Sequence, residues 1–464
     1  MHLADRPLPA CALLATLALG CAPQATTAPA PLAPRLAAPA ATPPMSPLVA
    51  PGGAVAPAVV PPAHASSSAG ASASGLSSAE KTAAAALTGA ANLVDDPLAV
   101  KLLAGGSSAL KTVVATPEKY RFQVLYSVIT PGPAPTLERH GYRADVEYYF
   151  PASSMKLPIT LATFDRLGTL RKAGRAALTR DTPIRIYPLA GGAEPYVTSV
   201  ARETWRALIV SDNVSANRLL GIVGHREAHE TLWGLGLKSV RVRSGFATGA
   251  AVDPAEQSPR VEFGAPPGGK GDELPARRSD LALPANDAVK LDIGKANLVD
   301  GRRIDGPLSF ADKNAVRMRE LQDTLVRIMR PELLPGGAAA DAASADDLAY
   351  LRHTLGTLPS ESGLAGYDRN VVADYQLSPF LRGIERVRGR GKFQIFAKVG
   401  QAFGFLVANA YVVDKETGRS FFLTAAVYAN PDEMMNDDDY AYDSISFPAL
   451  ADVGEAFCRH ALGL

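Results

Sequence analysis

The chain has 464 residues, 47% of them apolar, and its 47 Lys and Arg balance 46 Asp and Glu to a formal charge of +1. That balance supplies no net field for nucleic acid or an anionic membrane surface, so composition points to a small or polar substrate. Three cysteines exclude a disulfide framework: Cys11 and Cys21 fall at the extreme N-terminus, and Cys458 reads as a small buried apolar side chain.

Leu8 to Gly20 is an apolar run of signal-peptide length, too short for a stable transmembrane anchor. It ends Leu17-Ala18-Leu19-Gly20-Cys21, which resembles the bacterial lipobox, where the cysteine is lipidated and becomes the mature N-terminus. The resemblance implies an exported protein of the bacterial cell envelope, in the periplasm or on the outer membrane, with residues 1–21 as leader and a lipid on Cys21. Ala18 stands where Leu is usual, and secretion without a lipid is the alternative. From Ala22 to about Gly75 the chain is almost wholly Ala, Pro, Ser, Thr and Gly, with too little charge or apolar bulk to seed a core. Residues 22–77 therefore read as an extended tether and 78–464 as the folded part.

Helical pattern starts near Ser78 and runs through Leu102, then past Gly105-Gly106 into Leu110. Phe122, Val124, Tyr126 and Val128 alternate as in a strand, and the turn Pro131 to Pro133 leads to a second extended stretch ending at Tyr148-Tyr149-Phe150. After Pro151 the density of apolar residues from Met155 to Leu167 predicts a helix buried through a domain centre. A helix-rich middle follows (Trp205 to Val210, Asn217 to Val223, Asn314 to Ile328), interrupted by an irregular insertion from Asp253 to Asp287. Phe393 to Lys398, Phe403 to Val413 and Ser420 to Ala429 read as strands, and Phe447 to Leu462 as a closing helix. Two strands, a helical block, three strands and a helix predict one α/β sandwich with adjacent termini.

Three short strings carry chemistry. Ser153-Ser154-Met155-Lys156 has a serine and a lysine spaced by three, which puts the amine one helical turn from the hydroxyl, able to take its proton if burial lowers the lysine pKa. The same spacing at Ser78 to Lys81 and Ser108 to Lys111 lacks the strand-to-helix setting of Ser153. Ser211-Asp212-Asn213 reads at its simplest as a helix N-cap; beside Ser153, Ser211 can relay a proton to a leaving nitrogen and Asn213 can hold a substrate amide. Lys398-Val399-Gly400 reads as a strand end, or as an edge strand whose Lys398 binds a substrate carboxylate and whose Gly400 lets substrate lie against the backbone. The peptide N–H of Gln401 can then pair with that of Ser153 as an oxyanion hole. His225 and His229 lack the glutamate placement and third ligand of a zinc site, and the acidic run Asn436 to Asp439 reads as a solvated loop. No metal and no cofactor is expected.

Together, the three strings resemble the signature elements of the penicillin-recognising serine enzymes, closest to class A β-lactamases, over roughly Lys111 to Leu464. The resemblance implies a β-lactamase/transpeptidase-like sandwich: an antiparallel sheet of about five strands, two N-terminal and three C-terminal, flanked by helices, with a helical subdomain. It implies Ser153 as nucleophile, Lys156 as base or relay, Ser211 as shuttle and Lys398 as carboxylate binder, acting through an acyl-enzyme on an amide, β-lactam or ester. A peptidoglycan DD-peptidase and a catalytically weak envelope binding protein are the alternatives. The partners implied are a small-molecule or peptidoglycan-derived substrate and a membrane reached through Cys21, without nucleic acid. Two departures stand out: Val399 replaces the usual Thr or Ser, and no Glu-x-x-Leu-Asn string, the usual source of the deacylating base, lies between Asn213 and Lys398. Glu262 and Glu273 lie in that interval without its context.

Overall fold

The computed structural model describes residues 93–464 apart from 190, 193, 249–250, 253, 265–270, 338–341 and 369–371. The expected leader and tether, with Cys21, Ser78 and the first part of the N-terminal helical pattern, lie outside the described residues. In chain order the elements that place the site are α1 (Pro97–Leu103), α2 (Ser108–Ala115), β1 (Gln123–Thr130), β2 (Thr136–Tyr142), a 3-10 turn (Ala152–Met155), α3 (Lys156–Lys172), β3 (Ile184–Ile186), β4 (Tyr196–Thr198), α4 (Val200–Ile209), α5 (Asn213–Val223) and α6 (His225–Gly234). They continue with β5 (Val261–Phe263), β6 (Asp272–Leu274), α7 (Met318–Met329), α8 (Ala345–Leu355), α9 (Leu381–Arg388), β7 (Phe393–Ala402), β8 (Phe405–Asp414), β9 (Ser420–Tyr428) and α10 (Phe447–Leu462).

The main sheet has the order β7-β8-β9-β1-β2 and is antiparallel throughout, two strands from the N-terminal part and three from the C-terminal part, as the sequence predicts. Alternation along β1 sends Leu125 to one core and Val124 and Tyr126 to the other. The first core holds α3, α4, α5 and α7; the second holds α1, α2, α9 and α10. This is a mixed α/β sandwich with helices on both faces of the sheet. Twelve of the seventeen residues of α3 are buried, which is why its sequence lacks a polar face. Each large side chain such as Phe164, wholly out of water, contributes about 1.5–3 kcal/mol of transfer free energy.

The second strand ends sooner than its aromatic residues suggest, at Tyr142 rather than Phe150. Arg143 and Asp145 take positive φ (51° and 62°), which ends the extended backbone. The segment is held instead by side chains. Gln123 accepts from the Asp145 amide (2.9 Å) and donates to Glu147 O (2.9 Å), while Tyr148 Oη donates to Asn314 O (2.8 Å). Asp145 in turn accepts from the amides of Met318 (2.5 Å) and Arg319 (3.4 Å), capping α7, whose own N-cap, Arg317, makes no side-chain cap. The stretch leading to Ser153 is thus anchored to β1 and α7.

The insertion is less irregular than its Gly and Pro content suggests. Gln257–Ser258 pairs with Arg277–Arg278, and β4-β3-β5-β6 form a small antiparallel sheet. Strands of two or three residues carry too few alternations to be read from sequence.

Candidate active site

Ser153 occupies the 3-10 turn and Lys156 is the first residue of α3, so the two follow directly from the pinned loop into the buried helix. Ser154 closes the turn by donating from Oγ to Pro151 O (2.6 Å), and Ala152, just before the serine, has φ 46°. Strained backbone of this kind costs about 1–3 kcal/mol and persists where the surroundings dictate it. Ser153 itself is half-buried, and its hydroxyl has no hydrogen bond to any described residue.

Lys156 is completely buried. Its Nζ donates to Ser211 O and to Asn213 Oδ1 (2.6 Å), and lies 3.2 Å from Ser211 Oγ and 4.9 Å from the centre of the Phe246 ring. Lys398, 1% exposed, sends its Nζ to the same Ser211 Oγ (3.0 Å) and to Val399 O (2.7 Å). Desolvation, reinforced by the charge of Lys398, holds the Lys156 amine well below the ordinary lysine value; desolvation alone brings Lys398 to about 7. A neutral Lys156 has two N–H groups, which match its two short contacts, and a lone pair left for a hydroxyl proton. Ser211 can then accept from Lys398 while giving its proton to Lys156. Ser211 reaches this position with φ 58°.

Asp212 is the N-cap of α5, accepting from Ser215 N (2.7 Å), and pairs with Arg206 (3.2 Å). The simple reading of that residue is therefore right, and its two neighbours are the ones that contact Lys156. Asn213, half-buried, accepts from Lys156 at Oδ1 and donates from Nδ2 to Ala247 O (2.7 Å), so it orients the lysine and keeps a second N–H on Nδ2. Asn217, one turn on, was not singled out by sequence; it accepts from Phe246 N (2.7 Å) and donates to Phe246 O (2.8 Å). The asparagines at i and i+4 on α5 fasten the segment Phe246–Ala247 against the site. Their spacing was visible in the sequence, but the segment they bind was not.

Lys398 lies on β7, the outer strand of the sheet, as predicted. Gly400 does not offer an open backbone: a Cβ there would come within 2.2 Å of Pro151 O and 2.9 Å of Ser154 N. The glycine is required because β7 presses against the turn that bears Ser153. Val399, 4% exposed, belongs to the second core, so the hydroxyl missing there is replaced by core packing. Beyond it, Phe403 (φ 54°) and Gly404 (φ 79°) make a two-residue hairpin with Ala402 opposite Phe405. The pair flanking such a turn exchanges both hydrogen bonds, as do Gly400 and Val407 two residues back, so the Gln401 N–H faces the open edge. The Ser153 N–H likewise has no backbone acceptor among the described residues. An oxyanion needs two such donors.

Glu262 and Glu273 are occupied elsewhere. Glu262, on β5, accepts from Tyr187 Oη (2.8 Å) and Arg260 (2.8 Å); Glu273, on β6, pairs with Arg260 (3.2 Å). Neither bonds to Ser153, Lys156, Ser211 or Asn213. His225 and His229 are structural: His225 bonds Val242 O (3.0 Å) and Ser279 Oγ (2.8 Å), and His229 bonds His225 O (2.7 Å) and Val242 N (3.0 Å). Cys458 is buried, its thiol pushed up to about 12 by desolvation.

Half-buried Ser153, two buried lysines and outward-facing amides beside an antiparallel edge strand bring together the groups that serine acyl transfer needs, on a β-lactamase-like sandwich. Residues 109–281, which include Ser153, Lys156, Ser211 and Asn213, match the family model described as "Beta-lactamase enzyme family". The resemblance carried by the first two strings is thus met over that segment, while Lys398 lies beyond it and joins the site through the fold. No curated protein matches the chain. Solved structures that align with it include a β-lactamase from Sphaerobacter thermophilus (12% identity, 80% of this chain and 98% of that one, TM-score 0.42). Others are a β-lactamase from Burkholderia vietnamiensis (16%, 77% and 98%, 0.41) and one from Xanthomonas campestris pv. campestris (15%, 79% and 97%, 0.42).

Burial of Lys398 has a measurable signature. Its folded pKa of about 7 lies below the unfolded value of 10.5, so between those values the unfolded chain binds more protons and stability rises with pH. Lys398→Met removes that contribution. Measured by urea unfolding at pH 7 and pH 9, the gain in stability of the wild type should exceed that of the variant; equal gains would show that Lys398 titrates normally.

Proposed function

We propose that this protein is an exported serine acyl-transfer enzyme acting on an amide, β-lactam or ester carbonyl. The observation that carries the reading is the chain Lys156, Ser211, Lys398, two desolvated amines converging on one hydroxyl, the first of them three residues after Ser153, with no carboxylate among the described residues bonded to either. Neutral Lys156 takes the Ser153 proton as Oγ bonds to the carbonyl carbon. The oxyanion is received by the amides of Ser153 and Gln401. The C–N or C–O bond then breaks as Ser211 passes a proton to the leaving group and is reprotonated from the lysines. The matched family model supports a β-lactam as the acyl donor.

A second reading, slow turnover as in a peptidase or a penicillin-binding protein of weak activity, is favoured by Phe246. The side chain over Lys156 is an aromatic ring and offers no base for water. Intact mass after incubation with a penicillin tests both readings. A gain equal to the whole penicillin establishes acylation, and its decay time reports deacylation; an unchanged mass without consumption of the penicillin would refute the assignment.

We also propose that the protein is held on a membrane through Cys21, on the strength of the apolar run ending Gly20-Cys21 ahead of a tether whose one charged residue is Arg35. Expressed with its own leader in a bacterium, it should partition with membranes and incorporate labelled palmitate, and Cys21→Ser should lose both. A soluble, unlabelled wild type would show that the cysteine is incidental.

A further inference from the structure

Among the described residues with positive φ, Phe403 is the one aromatic. In a two-residue hairpin of this kind Asn-Gly is preferred, because a bulky side chain at positive φ is strained. Here Phe-Gly stands two residues beyond Gln401, and its strain is held in place from several sides. The Phe403 ring meets Phe150 edge to face at 5.2 Å and 70°, and Phe310 at 5.6 Å and 88°. Phe310 is wholly buried and also meets Phe150, at 5.5 Å, so the three rings close on one another. On its other side the tip is tied by Gly404 N donating to Tyr442 Oη (2.8 Å) and by Gly404 O accepting from Ala429 N (2.8 Å).

Phe150 is three residues before Ser153, and Phe403 two after Gln401. The ring contact therefore joins the two backbone segments that present the outward amides, across the place where Gly400 rests on Pro151 O. We propose that Phe403 is a positioning residue, whose ring, locked against Phe150 and Phe310, sets the separation of the Ser153 and Gln401 amides. The proposal rests on the acyl-transfer reading above and deepens it. Backbone strain at Ala152 on one side and Phe403 on the other is the local cost of that fixed gap. Misplacement of reacting groups by about 1 Å can cost about 10²-fold in rate.

The test uses Phe403→Asn, which suits the turn, and Phe403→Tyr, which keeps the ring. Acylation is followed with a fluorescent penicillin and with a small activated ester that lacks a side chain able to touch the ring. Phe403→Asn should acylate on the order of tenfold or more slowly with both probes, through the acylation step rather than binding, without a fall in melting temperature. Phe403→Tyr should stay within about twofold of wild type. Wild-type rates in Phe403→Asn would overturn the proposal, as would a loss confined to the penicillin, which would make the ring a substrate contact. Should Phe403→Asn be destabilised, Phe150→Leu decides: it removes the partner ring and should reproduce the loss, and normal acylation by it would overturn the proposal. A wild type that neither probe labels would refute acyl transfer itself, which is a different result from any of these.

Discussion

Ser153→Ala is expected to abolish covalent labelling by a fluorescent penicillin or an activated ester, whereas Ser108→Ala leaves it intact. Both serines begin a Ser-x-x-Lys string, but their surroundings differ. Ser108 is an exposed residue opening α2, with its Oγ outside any buried amine network. Ser153 opens from a strained turn onto a helix whose first residue is a buried lysine held by Ser211 and Asn213. Ser153→Ala removes only the nucleophile and leaves Ser154 to hold the turn, so the protein should fold and remain unlabelled. Detection is by in-gel fluorescence and by peptide mapping of the adduct. Undiminished labelling of Ser153→Ala would sink the assignment.

The second large effect concerns the fate of the acyl-enzyme. Wild type should show an initial burst with a penicillin and slow turnover, because neither Glu262 nor Glu273 bonds to the site and the position over Lys156 is Phe246. Phe246→Glu should shorten the life of the adduct, since Asn213 and Asn217 hold this segment through its backbone and the buried side chain at 246 lies over Lys156. A positioned base typically contributes about 10²–10⁴-fold. Phe246→Gln, of similar shape and without basicity, is the control and should not accelerate release. Mass spectra of quenched time points read the adduct directly. Fast, burst-free hydrolysis by wild type would show that another group serves as base, and an unchanged adduct lifetime in Phe246→Glu would place residue 246 out of reach of the attacking water.

Local patterns were legible where a segment is apolar over its whole length or alternates regularly. The alternation in β1, the apolar runs of the C-terminal strands and of α3, and the strings around Ser153, Ser211 and Lys398 could each be read without a structure. Aromatic residues 148–150 misled because Tyr148 and Tyr149 are buried by a pinned loop, and apolar content alone does not distinguish a loop held by Gln123 and Asp145 from a strand. The same limit applies to Gly400 and Val399, whose types were visible but whose neighbours, Pro151 O and the second core, come from distant parts of the chain.

What the sequence by itself determined was the set of candidate reacting groups, their order and the elements that bear them, because hydroxyl and amine chemistry and hydrophobic periodicity are properties of residues and short spacings. What only the tertiary structure decided was their state and their company. Two lysines lose their ordinary pKa because packing removes water from both, Asn213 bonds Lys156 and Ala247, and Phe246 arrives over the lysine because Asn217, twenty-nine residues earlier, binds its backbone. Desolvation and long-range hydrogen bonds depend on which segments meet, and no short stretch of sequence contains that information.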